Sequence, residues 1–261
     1  MPERTSYPAG TPSYVDLSTT DPEAARAFYG ALFGWEYEIA SGPQEGGYAS
    51  AMKNQKMVAG IFQQQKEHAD MGMPPAWNTY VTVDDVDATA GRVTSAGGQV
   101  LAPPFDVMDA GRMTVTMDPT GAALCFWQPK GGIGSELVNE HGTLTWNELV
   151  TPDVDTAVAY YGDLLGWGTE AMDMGDFTYT VWTLGGSHVG GAMPPPMEGI
   201  PPHWAVYFAV DDCDGTVETA KANGATALTE PMDSPPGRMC ALVDPQGAAF
   251  HVIQLAEPPT E

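Results

Sequence analysis

Basic side chains are scarce in this chain. Ten Lys and Arg stand against 34 Asp and Glu in 261 residues, a formal net charge of −24. The deficit is steepest in the second half, where residues 131–261 hold two basic and 19 acidic side chains. Such a surface repels phosphate backbones and anionic lipid headgroups, so neither nucleic acid nor a membrane is an expected partner. Cysteine is equally sparse. Cys125, Cys213 and Cys240 are odd in number and form no CxxC pair, which argues against a disulfide framework and fits a reducing compartment. Long apolar runs are missing too: none approaches the roughly 18 residues a membrane span requires. Residues 1–12 lack the apolar centre of a secretory signal. A cytoplasmic protein is the expectation.

What the sequence does contain, it contains twice. Residues 14–35, YVDLSTTDPEAARAFYGALFGW, align without a gap on residues 146–167, WNELVTPDVDTAVAYYGDLLGW, at an offset of 132. Residues 74–85 (PPAWNTYVTVDD) match 201–212 (PPHWAVYFAVDD), and 111–128 (GRMTVTMDPTGAALCFWQ) match 237–254 (GRMCALVDPQGAAFHVIQ). So long a period is not that of a solenoid; it marks two homologous domains. Their expected bounds are 10–128 and 144–256, joined by a glycine-containing linker over 129–143. The two copies should dock as an intramolecular pseudo-dimer, leaving the chain monomeric.

Each copy reads as two similar units. Asp21-Pro22, with Glu23 behind them, is a helix start, and Ala24, Phe28, Ala31 and Leu32 recur at helical spacing up to Gly34. Asp153 and Gly166 bracket the equivalent stretch in the second copy. Three short apolar runs between glycines follow in each copy, as a strand meander does. After a proline-rich connection the pattern restarts at Trp77 and at Trp204, with Asp85 and Asp212 opening the next helices. Asp118-Pro119-Thr120-Gly121 and Asp244-Pro245-Gln246-Gly247 are turns between the final strands. The expected fold class is therefore α+β: a tandem repeat of two domains, each made of two βαβββ units that form a cupped sheet.

Paired βαβββ units, with Asp21, Ala24, Phe28, Tyr29, Gly34 and Trp35 after the first strand and Asp118, Pro119 and Gly121 near the end, resemble the vicinal-oxygen-chelate superfamily of glyoxalases, bleomycin-resistance proteins and extradiol dioxygenases. The second copy carries Asp153, Tyr160, Tyr161, Gly166, Trp167, Asp244, Pro245 and Gly247 at the matching places. The chain is most similar to the acidic two-domain members described as hydroxylases or antibiotic-binding proteins. The resemblance implies the fold strongly and the activity weakly, because this fold hosts many chemistries.

Catalytic members hold a divalent metal with His, Glu or Gln from the first, fifth and eighth strands. Those positions fall here on Tyr14, Asn78 and Cys125 in one copy and on Trp146, Ala205 and His251 in the other. Indole and alanine supply no donor to a metal. The expectation is that there is no metal site and no cofactor. Strand alternation then assigns the cup linings. Tyr14, Asp16, Asn78, Tyr80, Cys125 and Trp127 face one cup; Trp146, Glu148, Ala205, Tyr207, His251 and Ile253 face the other. The candidate ligand-binding residues are Tyr14, Asn78, Tyr80, Cys125, Trp127, Trp146, Tyr207 and His251. Asp16 and Glu148 are the candidate catalytic residues.

Aromatic rings with a few polar groups suit a flat, largely apolar molecule. The expected function is metal-independent binding of a small planar aromatic or hydrophobic compound, such as sequestration of a natural product for self-resistance. The alternative is a metal-free enzyme of aromatic natural-product metabolism that uses Asp16 or Glu148 as acid or base. A metal-dependent lyase or dioxygenase fits the residues least.

Overall fold

The computed structural model describes residues 3–40 and 47–257. The first repeat runs β1 (Pro12–Thr19), α1 (Pro22–Phe33), β2 (Glu36–Ile39), β3 (Ala49–Lys53), β4 (Lys56–Gln63), α2 (Lys66–Asp70), β5 (Ala76–Thr82), α3 (Val86–Ser95), β6 (Gln99–Val107), β7 (Gly111–Met117) and β8 (Ala123–Pro129). The second runs β9 (Thr143–Val150), α4 (Val154–Leu165), β10 (Gly168–Asp173), β11 (Thr178–Leu184), β12 (Ser187–Met193), β13 (His203–Ala209), α5 (Cys213–Ala222), β14 (Thr226–Ala227), β15 (Met232–Ser234), β16 (Gly237–Val243) and β17 (Ala249–Leu255). His68 lies in α2 and His203 opens β13.

Local chemistry sets the helix ends. Asp21 accepts from Ala24 N at 3.0 Å and Asp153 from Thr156 N at 3.1 Å, each satisfying a backbone donor left over in the first turn. Gly34 and Gly166 end α1 and α4 in left-handed backbone, φ 70° and 72°, where a side chain would be strained. Asp85 and Asp212 cap α3 and α5 in the same way.

Each repeat forms one sheet, in the order β2-β3-β4-β1-β5-β8-β7-β6 and β10-β11-β12-β9-β13-β17-β16-β14, with β15 paired to β16. Within each unit the first and last strands run parallel: β1 with β4, β5 with β8, β9 with β12, β13 with β17. The first strands of the two units meet antiparallel, β1 with β5 and β9 with β13. These central pairs place Asp16 opposite Asn78, and Glu148 opposite Ala205.

The helix-bearing faces of the two sheets are buried against each other. One core joins Val15, Leu17, Phe28, Tyr29, Phe33, Trp35 and Trp77 of the first repeat to Val206, Phe208, Val217, Leu242, Phe250 and Val252 of the second. The other core joins Val81, Val83, Val93, Leu124 and Phe126 to Leu149, Tyr160, Tyr161, Trp167, Trp182 and Trp204. Each core is built mainly from one unit of each repeat, with Trp77 and Trp204 reaching in from the neighbouring units. At about 1.5–3 kcal/mol for a fully buried large apolar side chain, separating the repeats would expose both cores at once. The opposite parity of the strands is left for the two concave faces.

Candidate functional site

In the first cup, Tyr14, Tyr80, Met113 and Cys125 form a buried cluster, with Met57, Val107, Val115 and Trp127 packed on it. Asp16 is 3% exposed at its centre. It accepts from Asn78 Nδ2 at 2.9 Å, Tyr80 Oη at 2.9 Å and Tyr48 Oη at 3.2 Å. Burial pushes its carboxyl up to about 6, against the pull of those three donors. Burial also raises the Cys125 thiol, so this cysteine is held neutral.

The linker closes one end of this cup. Trp127 donates its indole N–H to Gly132 O at 2.8 Å. Ser135 N donates to Ser13 O at 2.8 Å and its hydroxyl to Val58 O at 2.8 Å. Glu136 exchanges bonds with Met57 in both directions, at 2.7 and 2.8 Å. Arg4 N and the Tyr7 hydroxyl tie the N-terminal segment over the same stretch. Beside it a groove of ≈ 440 Å³ remains, with Met52, Met57 and Ile133 in its walls.

The second cup has the same plan and different contents. Ala205, Tyr207, Val150 and Ile253 make its buried floor, with Trp146, Met193, Ile200, Met239 and Leu255 around them. Trp146 and Tyr179 are only partly buried, and Trp146 Nε1 donates to Tyr179 Oη at 2.9 Å. Glu148, 6% exposed, accepts from Tyr207 Oη at 2.8 Å. Burial raises its carboxyl above the usual range, while Tyr179 and Tyr207 pull it down. His251 stacks on Tyr207 with ring centroids 4.3 Å apart and planes 17° apart. Burial, aided by His203, lowers its pKa to about 4, so the ring is neutral at pH 7. Its Nδ1 is buried without a hydrogen-bond partner. Methionines form the rim. Met172 pairs in register with Tyr179, and Met232 with Met239; Met172 and Met232 are 40% and 46% exposed.

The ten candidate residues lie on the concave faces, six in the first cup and four in the second. Tyr48 and Tyr179 join them, and no sequence signal singled these two out. They are equivalent, but at an offset of 131 rather than 132, because the repeats differ by one residue after the first helix. Each hydroxyl lies over a glycine. A Cβ on Gly60 would overlap Tyr48 Oη, and one on Gly191 would overlap Tyr179 Oη. By contrast, Trp77 and Trp204 lie in the two inter-repeat cores, away from the cups. Arg112 and Arg238 pair with carboxylates: Arg112 with Asp87 at 2.7 Å, and Arg238 with Asp214 at 2.6 Å.

The model of the Glyoxalase/Bleomycin resistance protein/Dioxygenase superfamily matches the chain twice, over residues 11–126 and 143–252. The chain belongs to this superfamily. It is 49% identical over 259 residues to a Mycobacterium tuberculosis protein named "Putative glyoxylase CFP32", covering 98% of this chain and 99% of that one. It is 38% identical to the Anthracycline biosynthesis protein DnrV of Streptomyces peucetius, covering 97% and 96%. Among solved structures, the Mn(II)-bound glyoxalase from Novosphingobium aromaticivorans superposes with a TM-score of 0.65 at 17% identity. That match covers 97% of this chain and 86% of the other, and it shows a shared fold.

A superfamily metal centre needs three converging N or O donors. Among the described residues no three His, Cys, Asp or Glu side chains converge so. The side chains at the expected positions do not fit one. Ala205 carries no donor, and Trp146 has only an N–H that is already donated to Tyr179. The cups of this superfamily member offer aromatic faces and one buried carboxylate each.

Proposed function

We propose that the protein binds a small planar aromatic molecule in its second cup, without a metal. The observation that carries this reading is the Trp146–Tyr179 pair. The two rings are partly exposed, are fixed to each other by a hydrogen bond, and lie above buried Glu148 inside a methionine rim. Aromatic faces give stacking area at small entropy cost, and methionine side chains yield to an irregular guest. Strong similarity to a protein named for anthracycline biosynthesis supports a fused-ring ligand. The first cup is the less favourable site, because its carboxylate already has three donors and the linker is bonded across one end. Sequestration of such a compound inside the cell is the biological role that follows.

A second reading has its own observation. Glu148 is buried, has a pKa raised by that burial and is bonded to Tyr207; a carboxyl so placed can act as a general acid or base. Titration with fused-ring phenols, followed by tryptophan fluorescence, tests both readings. Quenching that is lost in Trp146→Ala, with affinity weakened by about 1–3 kcal/mol, supports the aromatic cup. Recovery of the ligand unchanged supports a binder. Turnover abolished in Glu148→Gln at near-constant affinity supports the enzyme. The absence of quenching by any of these phenols, with Trp146→Ala silent, overturns both.

A further inference from the structure

The two cups are internal controls for each other, and they differ most tellingly beside the carboxylate. In the first, Asn78 stands directly across the strand pair from Asp16 and donates its amide to Oδ1 at 2.9 Å. In the second, Ala205 stands directly across from Glu148. The tyrosines are retained: Tyr80 and Tyr207 both donate to the carboxylate, and Tyr48 and Tyr179 both lie against it. The change from Asn to Ala therefore removes one donor and three heavy atoms, of which the longer Glu148 side chain restores one. Asp16 accepts side-chain hydrogen bonds from an amide and two tyrosines; Glu148 has tyrosines alone, Tyr207 at 2.8 Å and the Tyr179 hydroxyl beside it. Glu148 is as buried as a core residue. A buried carboxylate short of donors is costly, and a fold retains one where something else completes it.

Resting on the aromatic-cup reading above, we propose that Glu148 anchors a hydrogen-bond donor carried by the ligand, a phenolic hydroxyl or aryl amine, and that Ala205 makes the room for it. The Asn78 amide in the first cup marks where that donor lies. Trp146 and Tyr179 then take the ring system, and Glu148 selects among flat molecules by what they carry at one edge. The selection is steep, because a flat ligand without the donor leaves the carboxylate unsatisfied and shuts out the water that could reach it.

Three probes separate donor from shape: 2-naphthol, its donor-blocked ether 2-methoxynaphthalene, and naphthalene. Binding to the full-length protein is measured by calorimetry. The wild type is expected to bind 2-naphthol about ten- to a hundredfold more tightly than either donor-free probe, as a hydrogen bond to a charged acceptor allows. Ala205→Asn supplies the donor internally and is expected to lose 2-naphthol binding while melting no lower than wild type. Ala205→Ser, a smaller donor, should reduce the preference without abolishing it, and it serves if the asparagine disturbs folding. Equal binding of all three probes to the wild type, unchanged in both variants, overturns the Glu148 anchor and leaves the aromatic cup standing. Failure of all three to bind, with Trp146 fluorescence unmoved, overturns the aromatic cup and this inference with it.

Discussion

Tyr29 and Asp244 are 215 positions apart in the chain, and the hydrogen bond from the Tyr29 hydroxyl to Asp244 Oδ2 is buried between the two repeats at 3.0 Å. Trp77 Nε1 donates in turn to Tyr29 Oη at 3.0 Å. The mirror set is Tyr161 to Asp118 at 2.8 Å, with Trp204 donating to Tyr161. Each aspartate is the first residue of its Asp-Pro-x-Gly turn. Its other oxygen gathers three backbone N–H groups: Thr120, Gly121 and Ala122 on Asp118, and Gln246, Gly247 and Ala248 on Asp244. One carboxylate thus fixes a turn in its own repeat and holds a helix of the other.

Tyr29→Phe and Tyr161→Phe should therefore each destabilise the whole chain by about 1–3 kcal/mol, the cost of leaving a buried acceptor short of a donor. Because both cores are shared between repeats, urea unfolding should remain a single transition in each variant. A biphasic curve in the wild type would falsify the shared-core account.

Asp16 and His251 should pull stability in opposite directions over nearly the same pH range. Burial raises Asp16 to about 6, so the folded state holds a proton that the unfolded chain loses near pH 4, and this contribution declines as pH rises from about 4 to 6. Burial lowers His251 to about 4, so the unfolded chain takes up a proton that the folded state refuses. That contribution is lost as pH falls from about 6.5 to 4. Each is worth up to about 3 kcal/mol. Relative to wild type, Asp16→Asn should gain stability as pH climbs from 4 to 6, and His251→Asn should lose it. Thermal melts at half-unit pH steps measure both differences; parallel curves for all three proteins would reject the assignment.

Periodicity and duplication made the fold legible, and strand parity made the cup linings legible. The quoted alignment places Tyr14 on Trp146 and Asn78 on Ala205, which is enough to define facing positions once a strand is recognised. Tyr48 and Tyr179 escaped because the repeats slip by one residue after the first helix, so a fixed offset never superposes them. The roles of Tyr29 and Tyr161 escaped for another reason. Helical spacing puts Tyr161 on the buried stripe of its helix and leaves Tyr29 off the stripe of Ala24, Phe28, Ala31 and Leu32; the hydroxyl partners of both lie in the other repeat, and periodicity carries no information about contacts at that separation. The closing of the first cup by the linker was invisible because its bonds are mostly to backbone carbonyls, which every sequence has.

Ligand binding should be indifferent to metal. The position that holds Asn78 in one cup holds Ala205 in the other, and Trp146 offers only an N–H that is already donated to Tyr179. Protein prepared without a metal-affinity tag should contain well below one equivalent of zinc, iron or manganese by elemental analysis. Titration of 2-naphthol should give the same affinity before and after dialysis against a chelator. A tightly held ion at one equivalent, whose removal abolishes binding, would restore the metal-dependent reading.

Gly60 and Gly191 offer a test that separates the two cups by their chemistry. Each lies under a tyrosine hydroxyl that occupies the space a Cβ would need. Gly191→Ala should push Tyr179 off its place, break the bond from Trp146 Nε1 and disorder the pair that receives the ligand. Gly60→Ala should displace Tyr48 and remove one of three donors from Asp16. Both substitutions insert one methyl into a packed site, and both should cost about 1–3 kcal/mol in stability. Their effects on binding should diverge. Gly191→Ala is expected to weaken 2-naphthol by roughly tenfold or more and to alter Trp146 emission in the free protein, since the indole loses its partner. Gly60→Ala is expected to leave affinity within about twofold of wild type, because the first cup is occupied by its own side chains and linker. Calorimetric titration of both variants at matched fractions folded gives the comparison. The reverse ranking, with Gly60→Ala the damaging change, would move the ligand to the first cup.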